Sequence, residues 1–105
     1  MEEIYEIVRD AIDHKKIVHA FYHRQERIMC PHTLGTKRGK YHALFYQFGG
    51  YSSSGLGPEG SSENWRCMFL ENLTSVTSEE GQWHTAPNHT RSQTCVGDVH
   101  HEVGY

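Results

Sequence analysis

The sequence predicts a mainly β fold with one N-terminal helix: a small antiparallel barrel of four to five short strands. Three observations predict it. An apolar stripe at helical spacing lies near the N-terminus, short β-branched and aromatic runs follow, and polar turns bounded by glycine separate them. A chain of 105 residues has room for one domain with a single core, and a hydrophobic fraction of 36% predicts that this core is modest.

The helix is expected over residues 2–13. Its apolar residues recur at three- and four-residue spacing and share one face: Ile4, Ile7, Val8, Ala11 and Ile12. Strands are expected at 16–22, 26–30, 41–48, 65–70 and, as a fifth, 74–77. The second should stop at Pro31, because proline cannot donate a hydrogen bond to a strand ladder.

Residues 49–62 contain five glycines and five serines, which bury too little apolar surface to form a packed element. Two interpretations fit this Gly/Ser loop, namely a lid over a binding site near Arg66 or a plain hairpin connection. Residues 1–78 are therefore expected to form the helix and barrel. Residues 79–105 form a polar, histidine-rich tail, for which packing on the barrel is one option.

Composition narrows the classes of function. A formal charge of −3 gives the whole chain no basic character, so any nucleic-acid surface has to be local. The sequence has no apolar run near 18 residues and no signal-peptide pattern, so we expect no membrane partner. Three irregularly spaced cysteines do not suggest a disulfide framework, which favours the cytoplasm.

Arg66 is the first candidate for binding, because it stands in an otherwise core-like strand, WRCMFL. A guanidinium presents a planar fork of donors that suits phosphate or carboxylate. The alternative is a surface arginine paired with Glu63 or Glu71. Residues 65, 67 and 69 are expected on one strand face and 66, 68 and 70 on the other, which places Arg66 at the rim of the barrel.

A basic turn precedes an aromatic strand. Lys37, Arg38 and Lys40 lie beside Tyr41, and basic residues next to aromatic rings suit single-stranded nucleic acid. A solvated hairpin tip, kept soluble by its charges, is the alternative interpretation.

Metal binding is the rival chemistry. Cys30 and His32 share a face if their strand persists, and Cys67 is a third donor for zinc, with further candidates in Cys95, His100 and His101. The usual paired spacings are absent, and a buried cysteine acting as a small hydrophobe is the plainer explanation. No nucleophile with an orienting base stands out, so we expect a protein that is not an enzyme.

The order of helix, HAFY, CPHTL, basic hairpin, aromatic strand and WRCMFLENL resembles the WYL domain over about residues 7–76. Matching positions include Arg66, Leu70 and Leu73. The triplet that names the family aligns with Tyr41-His42-Ala43, which keeps only the aromatic residue, and an Asp-Arg pair of the family becomes Glu71-Asn72.

The resemblance implies an SH3/Sm-like barrel of the kind found in bacterial transcriptional regulators and phage-defence proteins. It also implies a sensor of a nucleotide or single-stranded nucleic acid, with Arg66, Tyr41 and His42 as ligand-binding residues. We therefore expect a regulatory, phosphate-binding domain that acts on an effector protein in trans or as a homo-oligomer. The alternatives are a metal-binding accessory protein or small metalloenzyme, and a protein–protein interaction module.

Overall fold

The computed structural model describes residues 2–51, 55–58, 60–86 and 95–104. In these ranges one helix and six strands follow one another: α1 (Glu2–His14), β1 (Ile17–Tyr22), β2 (Gln25–Lys37), β3 (Lys40–Gly50), β4 (Trp65–Phe69), β5 (Leu73–Glu79) and β6 (Asp98–Glu102). The prediction of a mainly β fold with one N-terminal helix is confirmed. No helix in the described ranges is long and apolar enough to cross a membrane.

The strands form one antiparallel sheet in the order β4-β3-β2-β1-β5, and β6 pairs with β2. A 3₁₀ turn, Leu70–Asn72, links β4 to β5. These two strands are the edges of the sheet and do not pair with each other in the described part of the chain, so the sheet is open where a closed barrel was predicted.

β2 is longer than predicted, because it does not stop at Pro31. It continues to Lys37 and pairs with β3 along its whole second half. The register shifts between Pro31 and Thr33. Such an irregularity lets the strand continue past proline, which has no backbone N–H to donate to the ladder.

The core lies between α1 and one face of the sheet, called the inner face. The helix contributes Val8, Ala11 and Ile12, which confirms its apolar stripe. The inner face contributes buried residues of four strands: Val18, Ala20, Met29, Ala43, Phe45 and Met68. This alternation of inward and outward residues is what a half-buried sheet requires.

The described part of residues 79–105 lies against the sheet. On the outer face, the Trp83 ring lies 4.9 Å from that of His32, and the His84 ring stacks on Phe48 at 3.8 Å. Further along, a disulfide joins Cys95 to Cys67 of β4. The expectation that the cysteines form no disulfide is therefore wrong for this pair, because folding brings together two residues 28 positions apart.

Candidate functional site

Three polar side chains point to the inner face at one end of the sheet. Arg27 pairs with Ala20, Gln47 with Met29, and Arg66 with Phe45. Directly paired residues project from the same face, and all three apolar partners belong to the core. We call Arg27, Gln47, Arg66 and the neighbouring Tyr22 the arginine cluster.

Arg27 is almost fully enclosed, with 5% of its surface exposed. Its Nη1 donates a hydrogen bond to Gln47 Oε1 at 3.3 Å, and its Cζ lies 5.2 Å from the centre of the Tyr22 ring. Its Nε has no hydrogen-bond partner, and no carboxylate of the described residues pairs with the guanidinium. A buried positive charge with so few compensating contacts is costly unless an anion joins it.

Gln47 holds its position through the start of the Gly/Ser loop. Its Nε2 donates to the carbonyl oxygens of Gly49, at 2.9 Å, and Tyr51, at 2.8 Å. The side chain is fully buried, so its oxygen is oriented toward Arg27 by these two bonds. The cluster is therefore fixed by the backbone of the loop as well as by the sheet.

Arg66 contacts the same loop at Gly55 and also the residues that follow the loop. Its guanidinium donates to the carbonyl oxygens of Glu63, at 2.6 Å, Trp65, at 3.0 Å, and Gly55, at 3.5 Å. Burial, and after it the positive charge of Arg27, lowers the pKa of Arg66. Arg66 shares the inner face with Met68 on the edge strand β4, and its predicted place at the rim of a barrel stays a prediction because the sheet is open.

Asn64 anchors the described part of the loop and was not anticipated from the sequence. Its side chain is 1% exposed, accepts from the Gly57 amide at 2.8 Å, and donates to the carbonyls of Gly57 and Pro58. Tyr46 adds a bond from its hydroxyl to the Ser61 carbonyl at 2.8 Å. Residues 52–54 and 59 of the predicted loop lie outside the described residues.

The basic hairpin lies elsewhere. Arg38 and Gly39, both with positive φ, form the turn between β2 and β3, as predicted for a hairpin tip. Lys40 Nζ forms an ion pair with Glu71 at 3.0 Å, and a cleft of about 210 Å³ is lined by Gly39, Lys40, Tyr41 and Glu71. Lys37, at the end of β2, is partly buried.

Tyr41 and His42 have partners within the fold. The Tyr41 hydroxyl donates to Glu2 Oε1 at 2.8 Å, a bond that raises the pKa of Tyr41, and its ring lies 4.5 Å from that of Tyr5. His42 is 4% exposed and packs against Phe69 at 4.2 Å between ring centres. Burial lowers the pKa of His42, so this side chain is a neutral part of the packing.

The predicted binding residues therefore form two groups. Arg66 pairs with Phe45, which lies five positions along β3 from Lys40. At the rise of an antiparallel strand, the hairpin is roughly 17 Å from the arginine cluster. A compact ligand reaches one group at a time, whereas an extended strand of nucleic acid is long enough for both.

The proposed zinc ligands have other contacts. Cys30 is buried, which raises the pKa of its thiol to about 11, and its sulfur accepts from the His84 amide at 3.3 Å. His32 is fully buried, with its ring 4.7 Å from Trp65, and Cys67 is bonded to Cys95. Among the residues the structure describes, no group of three or more potential ligands could hold a metal ion.

No known protein family, no curated protein sequence and no solved structure matches the chain. The case for a site thus rests on the geometry of the molecule itself. Sequence reasoning found Arg66 and missed Arg27, although a signal was present: Arg27 lies two positions from Met29, so alternation along β2 places both on the inner face.

Proposed function

We propose that this chain is a non-catalytic binding domain for a phosphate-bearing ligand, whose anionic group binds Arg27 and Arg66 at the open end of the inner face. The observation that carries the proposal is Arg27, a guanidinium 5% exposed with an unpartnered Nε and no carboxylate partner among the described residues. Phosphate offers several acceptor oxygens and enough charge for two guanidinium groups.

The neighbours of Arg27 favour a bound anionic ligand as its partner, rather than a carboxylate side chain of the protein. Arg66 adds a second positive charge, and burial, followed by the charge of Arg27, lowers the pKa of Arg66. The carbonyls that now accept from Arg66 are neutral, and a phosphate oxygen forms shorter and stronger charge-assisted bonds. A phosphate bound near both guanidinium groups would also offset the repulsion between their charges.

The architecture supports an SH3/Sm-like barrel as part of the proposal. Five strands in the order β4-β3-β2-β1-β5, with a 3₁₀ turn between β4 and β5, are the arrangement expected for such a barrel before its edges close. On this proposal, the resemblance to the WYL domain extends to its role, and binding is signalled to an effector protein in trans or to a second copy of the chain.

Two groups of basic residues allow a sharper statement about the ligand. A mononucleotide is small enough to bind at the arginine cluster alone. A single-stranded oligonucleotide would also contact Lys37, Arg38 and Lys40 at the hairpin, about 17 Å away along β3. The dependence of affinity on the hairpin therefore distinguishes the two ligand classes.

The test is a binding titration with inorganic phosphate, nucleoside mono-, di- and triphosphates and a short single-stranded oligonucleotide. We expect Arg27→Met and Arg66→Ala each to weaken the tightest of these at least tenfold, as for loss of a charge-assisted contact. Arg9→Met is the matched control, because Arg9 lies on α1 and pairs with Glu6 and Asp13.

Equal affinity of the wild-type protein and both cluster variants would refute the proposal, as would the absence of binding to every ligand at millimolar concentration. If a variant that removes the charges of Lys37, Arg38 and Lys40 weakens only the oligonucleotide, single-stranded nucleic acid is the ligand class. If it changes nothing, the ligand is a compact phosphate compound.

A further inference from the structure

The C-terminal strand buries few of its own side chains, although His100 and His101 contact the Tyr5 ring of α1. In residues 95–104 the buried side chains are Cys95, Val96 and Val103, and within β6 Val99 is 44% exposed. Pairing with β2 covers only Thr33–Thr36. A short strand that buries almost none of its side chains is marginal on its own.

Two backbone bonds mark the ends of this pairing. The Gly97 amide donates to the Thr36 carbonyl at 3.1 Å, and the Val103 amide donates to the His32 carbonyl at 2.8 Å. The strands approach closely at Gly35, where a Cβ atom would lie 1.8 Å from the Asp98 carbonyl oxygen. The contact is therefore specific, although little apolar surface holds it.

A covalent bond fixes the beginning of the same segment. The disulfide joins Cys95 to Cys67 of β4, with 5.9 Å between the Cα atoms, which is the usual separation for such a bond. β4 and β2 lie on opposite sides of β3, so the bond fastens the segment to one strand while β6 pairs with another. The disulfide thus limits how far β6 can move from β2.

The two sulfur atoms differ in access. Cys67 is exposed, whereas Cys95 is 8% exposed and its sulfur lies 3.8 Å from Nδ1 of His42. A thiolate from solvent therefore reaches the Cys67 sulfur first, and Cys95 is the leaving group.

We propose that the Cys67–Cys95 disulfide is a thiol-controlled latch, whose reduction releases β6 from the edge of β2 while the rest of the sheet stays folded. A dithiol supplies the electrons. Its first thiolate bonds to the Cys67 sulfur and breaks the disulfide, and Cys95 leaves as a thiolate that takes a proton. Its second thiolate then displaces Cys67, which also takes a proton, and the reductant becomes a cyclic disulfide.

Release changes which backbone groups are available. The edge of β2 at Thr33–Thr36 loses its partner strand, and an unpaired edge is able to accept another strand. The reduced protein therefore presents a surface that the oxidised protein covers. Cys67 projects from the face of β4 opposite to Arg66, so the latch does not use the arginine cluster and is tested separately from phosphate binding.

The experiment is amide hydrogen exchange by NMR on the full chain, oxidised and after reduction with dithiothreitol. We expect the Gly97 and Val103 amides to exchange at least about tenfold faster after reduction, while the amides of β1 keep their protection. Cys67→Ser should show the fast exchange without dithiothreitol and should not respond to it.

Two results would overturn the latch. One is exchange at Gly97 and Val103 that changes less than about twofold on reduction, which would show that β6 holds without the bond. The other is loss of protection in β1 as well, which would show that the disulfide supports the whole fold. The Cys95→Ser variant gives the same comparison with the other sulfur removed.

Discussion

Arg27 on β2 and Arg66 on β4 project from the inner face on either side of β3, and after burial the charge of Arg27 is a cause of the lowered pKa of Arg66. Arg27 is the costly member of this pair, because its guanidinium is buried with an unpartnered Nε and no carboxylate partner among the described residues. The proposed phosphate ligand would supply the missing negative charge.

Replacing Arg27 by methionine tests this interpretation through stability. We expect Arg27→Met to be neutral or to raise the free energy of unfolding by about 1 kcal/mol in phosphate-free buffer, because an apolar chain of similar volume removes a poorly compensated buried charge. Urea denaturation measures the effect. Arg9→Met, at a partly exposed and ion-paired position, should change stability by less than about 0.5 kcal/mol.

A loss of more than about 2 kcal/mol in Arg27→Met would contradict an uncompensated charge, because it would show that the contacts with Gln47 and Tyr22 stabilise the fold. Phosphate should also stabilise the wild-type protein against urea and leave the variant unaffected, since only a protein that binds the ligand gains from it.

The Cys30 thiol should be inert in the native protein. Burial raises the pKa of Cys30 to about 11, so at pH 8 only about one thiol in a thousand is ionised, before steric exclusion is counted. We expect iodoacetamide to leave Cys30 unmodified in the folded, oxidised protein and to modify it fully in urea. Mass spectrometry of the peptide containing Cys30 measures this.

Cys67 serves as the internal control, since it is exposed and should react readily once the disulfide is reduced. Fast modification of Cys30 in the folded protein would contradict the burial of its sulfur.

The sequence predicts the elements that depend on local patterns better than those that depend on contacts between residues far apart in the chain. The apolar stripe of α1 and the alternation in β3 and β4 are local patterns, and all three elements were found where expected. The extension of β2 past Pro31 was not predicted. It depends on pairing with the long strand β3, which compensates for the one hydrogen-bond donor that proline lacks. β6 likewise depends on pairing with β2, and its own residues carry little apolar signal.

The candidate site shows the same difference between local patterns, which the sequence reveals, and long-range pairing, which it does not. Arg66 was found because a charge interrupts an apolar run within a few residues. Its distance from the hairpin and its proximity to Arg27 both follow from strand pairing, which brings together residues 39 positions apart in the chain (66 − 27). The resemblance to the WYL domain therefore grouped Arg66 with Tyr41 and left out Arg27, which projects from the same inner face.

His42 should make stability depend on pH. Burial, the largest cause, lowers the pKa of His42, so the unfolded chain binds a proton more readily than the folded one. The stabilisation is complete above the unfolded pKa of about 6.5 and is lost as the pH falls toward the lowered folded value. Urea denaturation at pH 8 and pH 5 should show this loss in the wild-type protein and a smaller loss in His42→Gln.

His23→Asn is the control, because His23 is exposed in the turn between β1 and β2 and its replacement should preserve the pH dependence of the wild-type protein. An unchanged pH dependence in His42→Gln would mean that another titrating group is responsible.

Gly35→Ala should remove β6 from β2 without any change of redox state. An added Cβ would lie 1.8 Å from the Asp98 carbonyl oxygen and 2.9 Å from Cγ1 of Val96, so the strands must separate. We expect a loss of about 2 kcal/mol in the free energy of unfolding and fast exchange at the Gly97 and Val103 amides. Gly104→Ala, which meets no atom within 4 Å, should be silent.

Combining Gly35→Ala with Cys67→Ser separates the clash from a general defect. If the disulfide holds β6 in place, Cys67→Ser already releases the strand, and Gly35→Ala then has no close neighbour left to displace. The second substitution should cost much less in the Cys67→Ser background than in the oxidised protein, a coupling on the order of 1 kcal/mol in a double-mutant cycle. Additive costs would mean that β6 stays on β2 without its disulfide.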